Sequence, residues 1–226
     1  MSHDDLKARA AAEAVTHVTS GTTIGLGTGS TMAFALDGIA RRIRDEGLEI
    51  RGVPTSRTTE MRARELCIPL TTLRDVPRLA LAIDGADEVD GNLAMIKGGG
   101  GALLREKIVA RVADRVIIMV HEAKQVRQLG AFPLPIEVVP FGAAPVLGWL
   151  QNKGFEAQLR AHDGITFVTD EGHWIVDAKV PGPILDPADL HRRLLDHPAV
   201  VETGLFVGLC DLLVVASPDG VTTVTA

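Results

Sequence analysis

Residues 22–46 read TTIGLGTGSTMAFALDGIARRIRDE, and this stretch decides the fold class. It predicts a short buried strand over Thr22–Leu26, a turn rich in glycine, and a helix over Ser30–Glu46 whose apolar residues recur at helical spacing. Gly47 follows as the residue at which the helix ends. A strand that leads through glycines into a helix is a unit from which parallel sheets are built.

The same alternation extends outward through the first half of the chain. The sequence predicts a helix near the N-terminus, for which Asp5 is the expected N-cap. Further strands are expected over 49–53, 79–83 and 115–120, with helices over 57–66 and 102–111. This succession predicts an α/β fold, with a mostly parallel sheet flanked by helices in a Rossmann-like arrangement.

Beyond residue 130 the alternation is lost. Prolines punctuate the chain, Val138-Val139 reads as the start of a strand, and a helix is expected over 143–153. Short strands near 165–168 and 174–177 precede a helix that Asp186-Pro187 opens. We expect a smaller inserted α+β domain over 130–203. The α/β domain then comprises 1–129 plus 204–226, and its last two strands return to the first sheet.

The composition excludes several classes of function. The chain has 226 residues and a net charge of −6, and it lacks tyrosine, which argues against nucleic-acid and anionic-membrane surfaces. Its longest apolar run, 116–120, is too short to span a bilayer. The N-terminus lacks the apolar stretch of a signal peptide, so a cytoplasmic location is expected. The two cysteines, Cys67 and Cys210, are expected to be buried and reduced.

The first candidate site is the turn GLGTGST over 25–31. Glycines let the backbone direct N–H groups toward an anion at a helix N-terminus, and Ser30 and Thr31 add hydroxyl donors. A dinucleotide loop needs glycine where Ser30 stands, and a nucleoside-triphosphate loop needs a lysine that the turn lacks. The turn predicts a site for a single phosphate, with a simple helix-capping turn as the alternative.

The second candidate is Asp84-Gly85-Ala86-Asp87-Glu88, which follows an apolar strand. Ligands of open α/β sheets bind beyond the carboxyl ends of the strands, so this position favours function. Carboxylates three residues apart can bind Mg²⁺ or exchange protons with sugar hydroxyls. An acidic surface turn is the alternative.

The third candidate is Lys97, which precedes four consecutive glycines at 98–101. Such a run is costly to order, which indicates that the backbone must approach another group closely. Lys97 is then placed to meet a phosphate or an oxyanion. A flexible loop with an exposed lysine is the alternative.

The fourth candidate is Glu106, in the helix that the glycine run opens. Considered alone, it reads as a solvated helix glutamate. Its position one to two turns into the helix keeps it within reach of a ligand held by the glycines. A base, a cation and two further carboxylates beside a phosphate suit proton transfer. The histidines are scattered, and most are expected at the surface.

Taken together and in this order, the motifs resemble the A type of ribose-5-phosphate isomerase along nearly the whole chain. The matching segments are GLGTGST at 25–31, Thr55-Ser56, IDGADEVD at 83–90, IKGGGGA at 96–102 and LREKI at 104–108.

The resemblance implies reversible conversion of ribose 5-phosphate to ribulose 5-phosphate through an enediolate, in the non-oxidative pentose phosphate pathway and without metal or organic cofactor. It implies Glu106 as the base, with Asp84, Asp87 and Lys97 in the catalytic set. It also implies assembly as a homodimer or a homotetramer. The implied contacts to the phosphorylated pentose are Thr28, Gly29, Ser30, Thr31, Gly85, Ala86, Gly98, Gly99, Gly100 and Lys124.

Other readings stay open at this point. A non-catalytic sugar-phosphate sensor and an Mg²⁺ enzyme using Asp84 and Asp87 both fit parts of the pattern. A related deaminase or lactonase is expected to use a catalytic histidine, and none lies in the four clusters. The chain departs from the family pattern at 170–173 and at His121-Glu122, which bear on the role of Lys124 and on oligomer contacts.

Overall fold

The computed structural model describes residues 1–226, which form two compact units. The first unit comprises Met1–Ala86, Arg105–Gln125 and Gly208–Ala226, and the second comprises Asp87–Leu104 and Val126–Val207. The domain boundaries given above, 1–129 plus 204–226 and 130–203, stay a prediction.

Six α-helices and fifteen strands make up the regular structure. The helices are α1 (His3–Thr16), α2 (Ser30–Glu46), α3 (Arg57–Glu65), α4 (Leu103–Val112), α5 (Ala143–Asn152) and α6 (Pro187–Leu195). The strands are β1 (Thr22–Leu26), β2 (Ile50–Pro54), β3 (Leu81–Gly85), β4 (Glu88–Val89), β5 (Met95–Ile96), β6 (Val116–His121), β7 (Leu134–Val138), β8 (Glu156–Leu159), β9 (Ala161–His162), β10 (Ile165–Thr166), β11 (Trp174–Lys179), β12 (Val200–Thr203), β13 (Leu205–Phe206), β14 (Leu212–Ser217) and β15 (Gly220–Thr225).

The first unit is built on a six-stranded sheet in the order β15-β14-β6-β3-β1-β2. All neighbours are parallel except β14 and β15, which form an antiparallel hairpin at one edge. Leu26 of β1 pairs with Pro54 on one side and with Ile83 on the other. The carboxyl ends of β1, β3 and β6 therefore lie at one edge of the sheet. The α/β fold and the return of the last two strands are confirmed.

Local chemistry fixes the helix ends of this unit. Ser2, and not Asp5, is the N-cap of α1, and the two side chains form a reciprocal capping box. The prediction of Asp5 as the N-cap is wrong by three residues. Serine and aspartate side chains can both accept a hydrogen bond from a backbone N–H, so the sequence alone does not decide between Ser2 and Asp5. Ser56 caps α3 as expected, and Gly47 ends α2 in the left-handed conformation.

The second unit contains the sheet β12-β7-β11-β8, whose neighbouring strands are all antiparallel. A separate three-stranded sheet, β13-β5-β4, lies in the same unit. The expectation that a strand starts at Val138 is wrong, because β7 ends there. Pro135 lies inside this strand. Prolines are uncommon within strands, so the sequence pattern did not indicate a strand here. The sequence also did not predict strands β4, β5, β8, β9 and β12.

The expectations for the cysteines and the histidines can be compared with the structure. Cys210 is buried as expected, but Cys67 is exposed. It adopts a positive φ of 57° directly after α3, so it lies in a surface turn. His121 is buried, contrary to the expectation for most histidines. None of the helices combines the length and the apolar character needed to cross a membrane. No group of three or more His, Cys, Asp or Glu side chains is placed to hold a metal ion.

Candidate functional site

The predicted site residues fall into both units. The first unit holds Thr28, Gly29, Ser30, Thr31, Asp84, Gly85, Ala86, Glu106 and Lys124, and the second holds Asp87, Lys97, Gly98, Gly99 and Gly100.

The glycine-rich turn of the first unit leads from β1 into α2. Gly29 is the residue before the helix, and its φ of 114° is accessible to glycine but strained for other residues. No side chain caps the first turn of α2. A helix N-terminus has backbone N–H donors and a partial positive charge, so it is suited to an anion. Gly29 and Ser30 are exposed there, and Thr31 is partly exposed.

Thr28 is fixed by a group of buried hydroxyls at the start of α3. Its Oγ1 lies 2.7 Å from Thr55 Oγ1, 2.9 Å from Ser56 Oγ and 3.3 Å from Thr59 Oγ1. Thr59 also donates to the carbonyl oxygen of Gly27 at 2.8 Å. These bonds hold the turn in one conformation, so the helix N-terminus is presented in a fixed direction. The Thr55-Ser56 segment was visible as a motif, but its role in holding Thr28 was not predicted.

Asp84 is buried at the carboxyl end of β3 and bonds to the same turn. Its Oδ1 accepts from the backbone N–H of Thr28 at 3.2 Å and of Gly85 at 2.8 Å. A Cβ atom at Gly27 would lie 2.2 Å from Asp84 Cγ, so only glycine allows this approach. The structure brings the first and second predicted clusters together here, and the reading of Asp84 as part of an exposed acidic turn is wrong.

Glu106 lies in the first turn of α4 and is 5% exposed. The reading of this residue as a solvated helix glutamate is therefore wrong. The position near the helix N-terminus places the carboxylate beside the partial positive charge of the helix dipole. Lys107, the next residue, is buried as well, which sequence reasoning did not predict.

Lys124 ends the short 3₁₀ turn Glu122–Lys124 that follows β6. Its neighbour His121 is buried and stacks on the ring of His3, with the centroids 4.7 Å apart. Burial lowers the pKa of His121, and the charges of His3, Lys124 and Lys7 lower it further. The side chains of His3, Lys7 and Lys124 therefore lie near enough to His121 for their charges to act on it.

In the second unit, Asp87 is bonded to the glycine run. Its Oδ2 accepts from the backbone N–H of Gly99 at 2.8 Å, and a Cβ at Gly99 would lie 2.8 Å from the other carboxylate oxygen. Gly98 adopts a φ of 107°, and a side chain there would meet Leu103 and Pro135. The prediction that the glycines permit close backbone approach is consistent with this packing.

Lys97 is 4% exposed, so the alternative of an exposed lysine on a flexible loop is wrong. Its backbone N–H donates to the carbonyl of Gly204 at 2.9 Å. Its Nζ lies 5.4 Å from the centre of the Phe206 ring, at a distance where an aromatic face attracts a cation. The ammonium group therefore lies buried beside an aromatic face, and a buried charge acts on an anionic ligand more strongly than an exposed one.

The chain is similar to proteins of one known family. The family model of ribose 5-phosphate isomerase A, also called phosphoriboisomerase A, matches residues 51–220. A ribose-5-phosphate isomerase A of Rhodopseudomonas palustris (strain TIE-1) is 49% identical over 231 residues, covering 99% of each chain.

Two solved structures are similar over the full length. Ribose 5-phosphate isomerase A from Methanocaldococcus jannaschii has a TM-score of 0.94 at 40% identity and covers 100% of both chains. A D-ribose-5-phosphate isomerase in complex with phospho-erythronic acid has a TM-score of 0.96 at 37% identity, again with 100% coverage of both. The chain belongs to the ribose 5-phosphate isomerase A family.

Proposed function

We propose that this enzyme interconverts ribose 5-phosphate and ribulose 5-phosphate, and that Glu106 moves the proton. The observation that carries the proposal is the buried carboxylate of Glu106 in the first turn of α4, in a chain whose family is that of these isomerases. A carboxylate that is held in position beside a substrate can take up a proton from carbon as a general base.

The reaction requires a base and a donor. A proton leaves the carbon next to the carbonyl, and an enediolate forms. The proton returns one carbon over, while the hydroxyl proton on the second carbon's oxygen passes to the former carbonyl oxygen. A single carboxylate oxygen can accept the proton and hand it back, since both carbons lie within reach of one base. We assign this transfer to Glu106 and assign the developing oxyanion to Lys97, whose ammonium group is fixed and desolvated.

The two aspartates are assigned to the sugar oxygens. Asp84 and Asp87 each accept hydrogen bonds from backbone N–H groups, which orient the two carboxylates. We propose that they exchange protons with the ring and hydroxyl oxygens when the sugar opens. Gly85 and Ala86, which link them, are assigned as substrate contacts, as are Gly98, Gly99 and Gly100.

The phosphate is assigned to the N-terminus of α2. The uncapped first turn and the hydroxyls of Ser30 and Thr31 offer donors there, beside Thr28, whose own hydroxyl donates to Ser56. Lys124 adds a positive charge at the same edge of the sheet. A local anion site of this kind operates within a chain whose net charge is −6.

The test compares wild type with Glu106→Gln in excess EDTA, following ketopentose phosphate formation from ribose 5-phosphate. Loss of a positioned base predicts a fall in kcat on the order of a thousandfold with substrate binding retained. Glu65→Gln, at an exposed position in α3, is the matched control and should turn over normally. EDTA should leave the wild-type rate unchanged, because no step is assigned to a metal.

Near-normal turnover by Glu106→Gln would show that Glu106 is not the base. Loss of wild-type activity in EDTA, restored by Mg²⁺, would favour the metal-dependent alternative at Asp84 and Asp87. Sugar-phosphate binding without turnover by the wild type would favour a sensor, and glucosamine 6-phosphate as a substrate would favour a deaminase.

Assembly and location are part of the proposal. The family resemblance implies a homodimer, with a homotetramer as the alternative, and a cytoplasmic location in the pentose phosphate pathway. Activity recovered in the cytosolic fraction of the producing cells would support the location, and activity in the membrane fraction would contradict it.

A further inference from the structure

Arg160 is a nearly buried arginine that no sequence motif singled out. Its side chain, 9% exposed, lies directly after β8, and its backbone bonds to Ile175 at 2.8 Å and to Phe167 at 2.9 Å. Asp177 of β11 accepts from Arg160 Nε at 2.9 Å and from Nη2 at 2.5 Å. A bidentate pair with this little exposure holds the guanidinium plane in a fixed orientation.

The remaining nitrogen of Arg160 bonds to the glycine run. Nη1 donates to the carbonyl oxygen of Gly98 at 2.8 Å and to that of Gly99 at 3.2 Å. The guanidinium also lies 5.8 Å from the centre of the Phe167 ring, and a Cβ at Gly101 would lie 2.3 Å from that ring. Glycines have no side chains to restrict them, so these contacts help to orient their peptide groups. The Gly101 N–H, which donates to the Gly98 carbonyl at 3.0 Å, acts in the same direction.

The hydrogen bonds from Arg160 to the two carbonyl groups also determine where the N–H groups of the next residues point. In a trans peptide the C=O and the following N–H point in opposite directions. Because the Gly98 carbonyl binds Arg160, the Gly99 N–H points away from it, and Asp87 accepts that N–H at 2.8 Å. By the same geometry, the Gly99 carbonyl turns the Gly100 N–H away from Arg160.

We propose that Arg160, held by Asp177, is a positioning residue for the isomerisation, and that it orients the Gly100 N–H to donate to an oxygen atom of the bound sugar phosphate. The inference rests on the proposed function, in which the glycine run contacts the substrate. A fixed N–H donor stabilises negative charge on oxygen without having to reorient during the reaction. A loosened loop should therefore lower the rate more than the affinity.

Three variants test this role through kcat and KM measured separately. Arg160→Lys keeps a cation but cannot hold both carbonyls and the carboxylate at once, so kcat should fall about 10- to 100-fold, as misplacement of about 1 Å does. Asp177→Asn keeps one acceptor and should lower kcat about 3- to 10-fold, with KM within about 3-fold in both variants. Arg44→Lys, which changes an exposed arginine paired with Asp45, is the matched control and should match wild type.

The outcomes separate positioning from plain stability. Thermal midpoints and circular dichroism establish that each variant is folded at the assay temperature, and if Arg160→Lys is not, Asp177→Asn decides alone. A lower midpoint with wild-type kcat would overturn the proposal, and so would a rise in KM with unchanged kcat. Failure of the wild type to isomerise ribose 5-phosphate would instead overturn the proposed function.

Discussion

Glu137 is a carboxylate that the second unit keeps almost entirely from water, at 1% exposure in the middle of the strand β7. Its Oε1 accepts from Thr169 Oγ1 at 3.0 Å, and His173 Nδ1 lies 3.0 Å from the same oxygen. Burial raises the pKa of Glu137 above its ordinary value of 4.5, and the hydrogen bonds from His173 and Thr169 only partly offset this. The folded chain therefore takes up this proton at a higher pH than the unfolded chain does.

The direction of this pKa shift predicts how Glu137→Gln changes the pH dependence of stability. Between 4.5 and the raised pKa, the folded state binds more protons than the unfolded state, so this group makes wild-type stability fall as pH rises. The variant lacks that fall. As pH rises through the window, its free energy of unfolding should therefore increase relative to that of wild type, by at most about 1.4 kcal/mol per pH unit. Urea unfolding at several pH values measures the difference. Glu156→Gln, at an exposed position on β8, controls for losing one carboxylate from the unfolded chain. A difference that does not vary with pH would contradict the argument.

The site residues that the sequence predicts have one property in common: the residues next to them in the chain indicate their function. Asp84 follows an apolar strand and Lys97 precedes four glycines, so their positions indicated function before any contact was known. Arg160 stands 62 residues from the Gly98 carbonyl that it binds, and Glu137 stands 36 residues from His173. No local pattern marks a partnership over such separations, so these two residues could not be identified.

At the scale of the element, long and regular segments were predictable and short ones were not. The bounds of β1 and α2 agree with the sequence prediction because apolar spacing, glycines and caps all favour the same ends. Strands β4 and β5 have two residues each, which is too short to show any alternation. Glu106 could be placed on a helix, but its burial depends on packing that the helix pattern does not contain.

Gly25 of β1 provides an element-scale prediction, because it lets α4 pack closely on the sheet. A Cβ there would lie 2.3 Å from Val109 Cγ1 of α4 and 3.1 Å from Ala82 Cβ of β3. Gly25→Ala should lower the unfolding free energy by about 1–3 kcal/mol, the usual cost of overfilling a packed core. It should also lower kcat, since α4 carries Glu106.

The matched substitution is Gly148→Ala in α5, where no atom lies within 4 Å of the added Cβ. Alanine is the better helix former, so this change should raise stability by up to about 1 kcal/mol and leave kcat unaltered. Urea unfolding and turnover of both variants make the comparison. Equal effects of the two substitutions would show that the contact with Val109 does not decide the packing of α4.

At the scale of the whole molecule, the prediction concerns self-association. Phe141 is 98% exposed in the 3₁₀ turn Pro140–Gly142 of the second unit, so its apolar surface is unused within one chain. Burying such a side chain contributes about 1.5–3 kcal/mol, and a twofold interface uses the same residue twice. We expect light scattering to give a mass about twice the 24.0 kDa of the chain, or about four times for a tetramer. Phe141→Ser should shift the enzyme toward monomer on dilution, whereas Phe141→Leu should not. A wild-type mass of one chain at micromolar concentration would refute the proposed assembly, and an unchanged Phe141→Ser dimer would place its interface elsewhere.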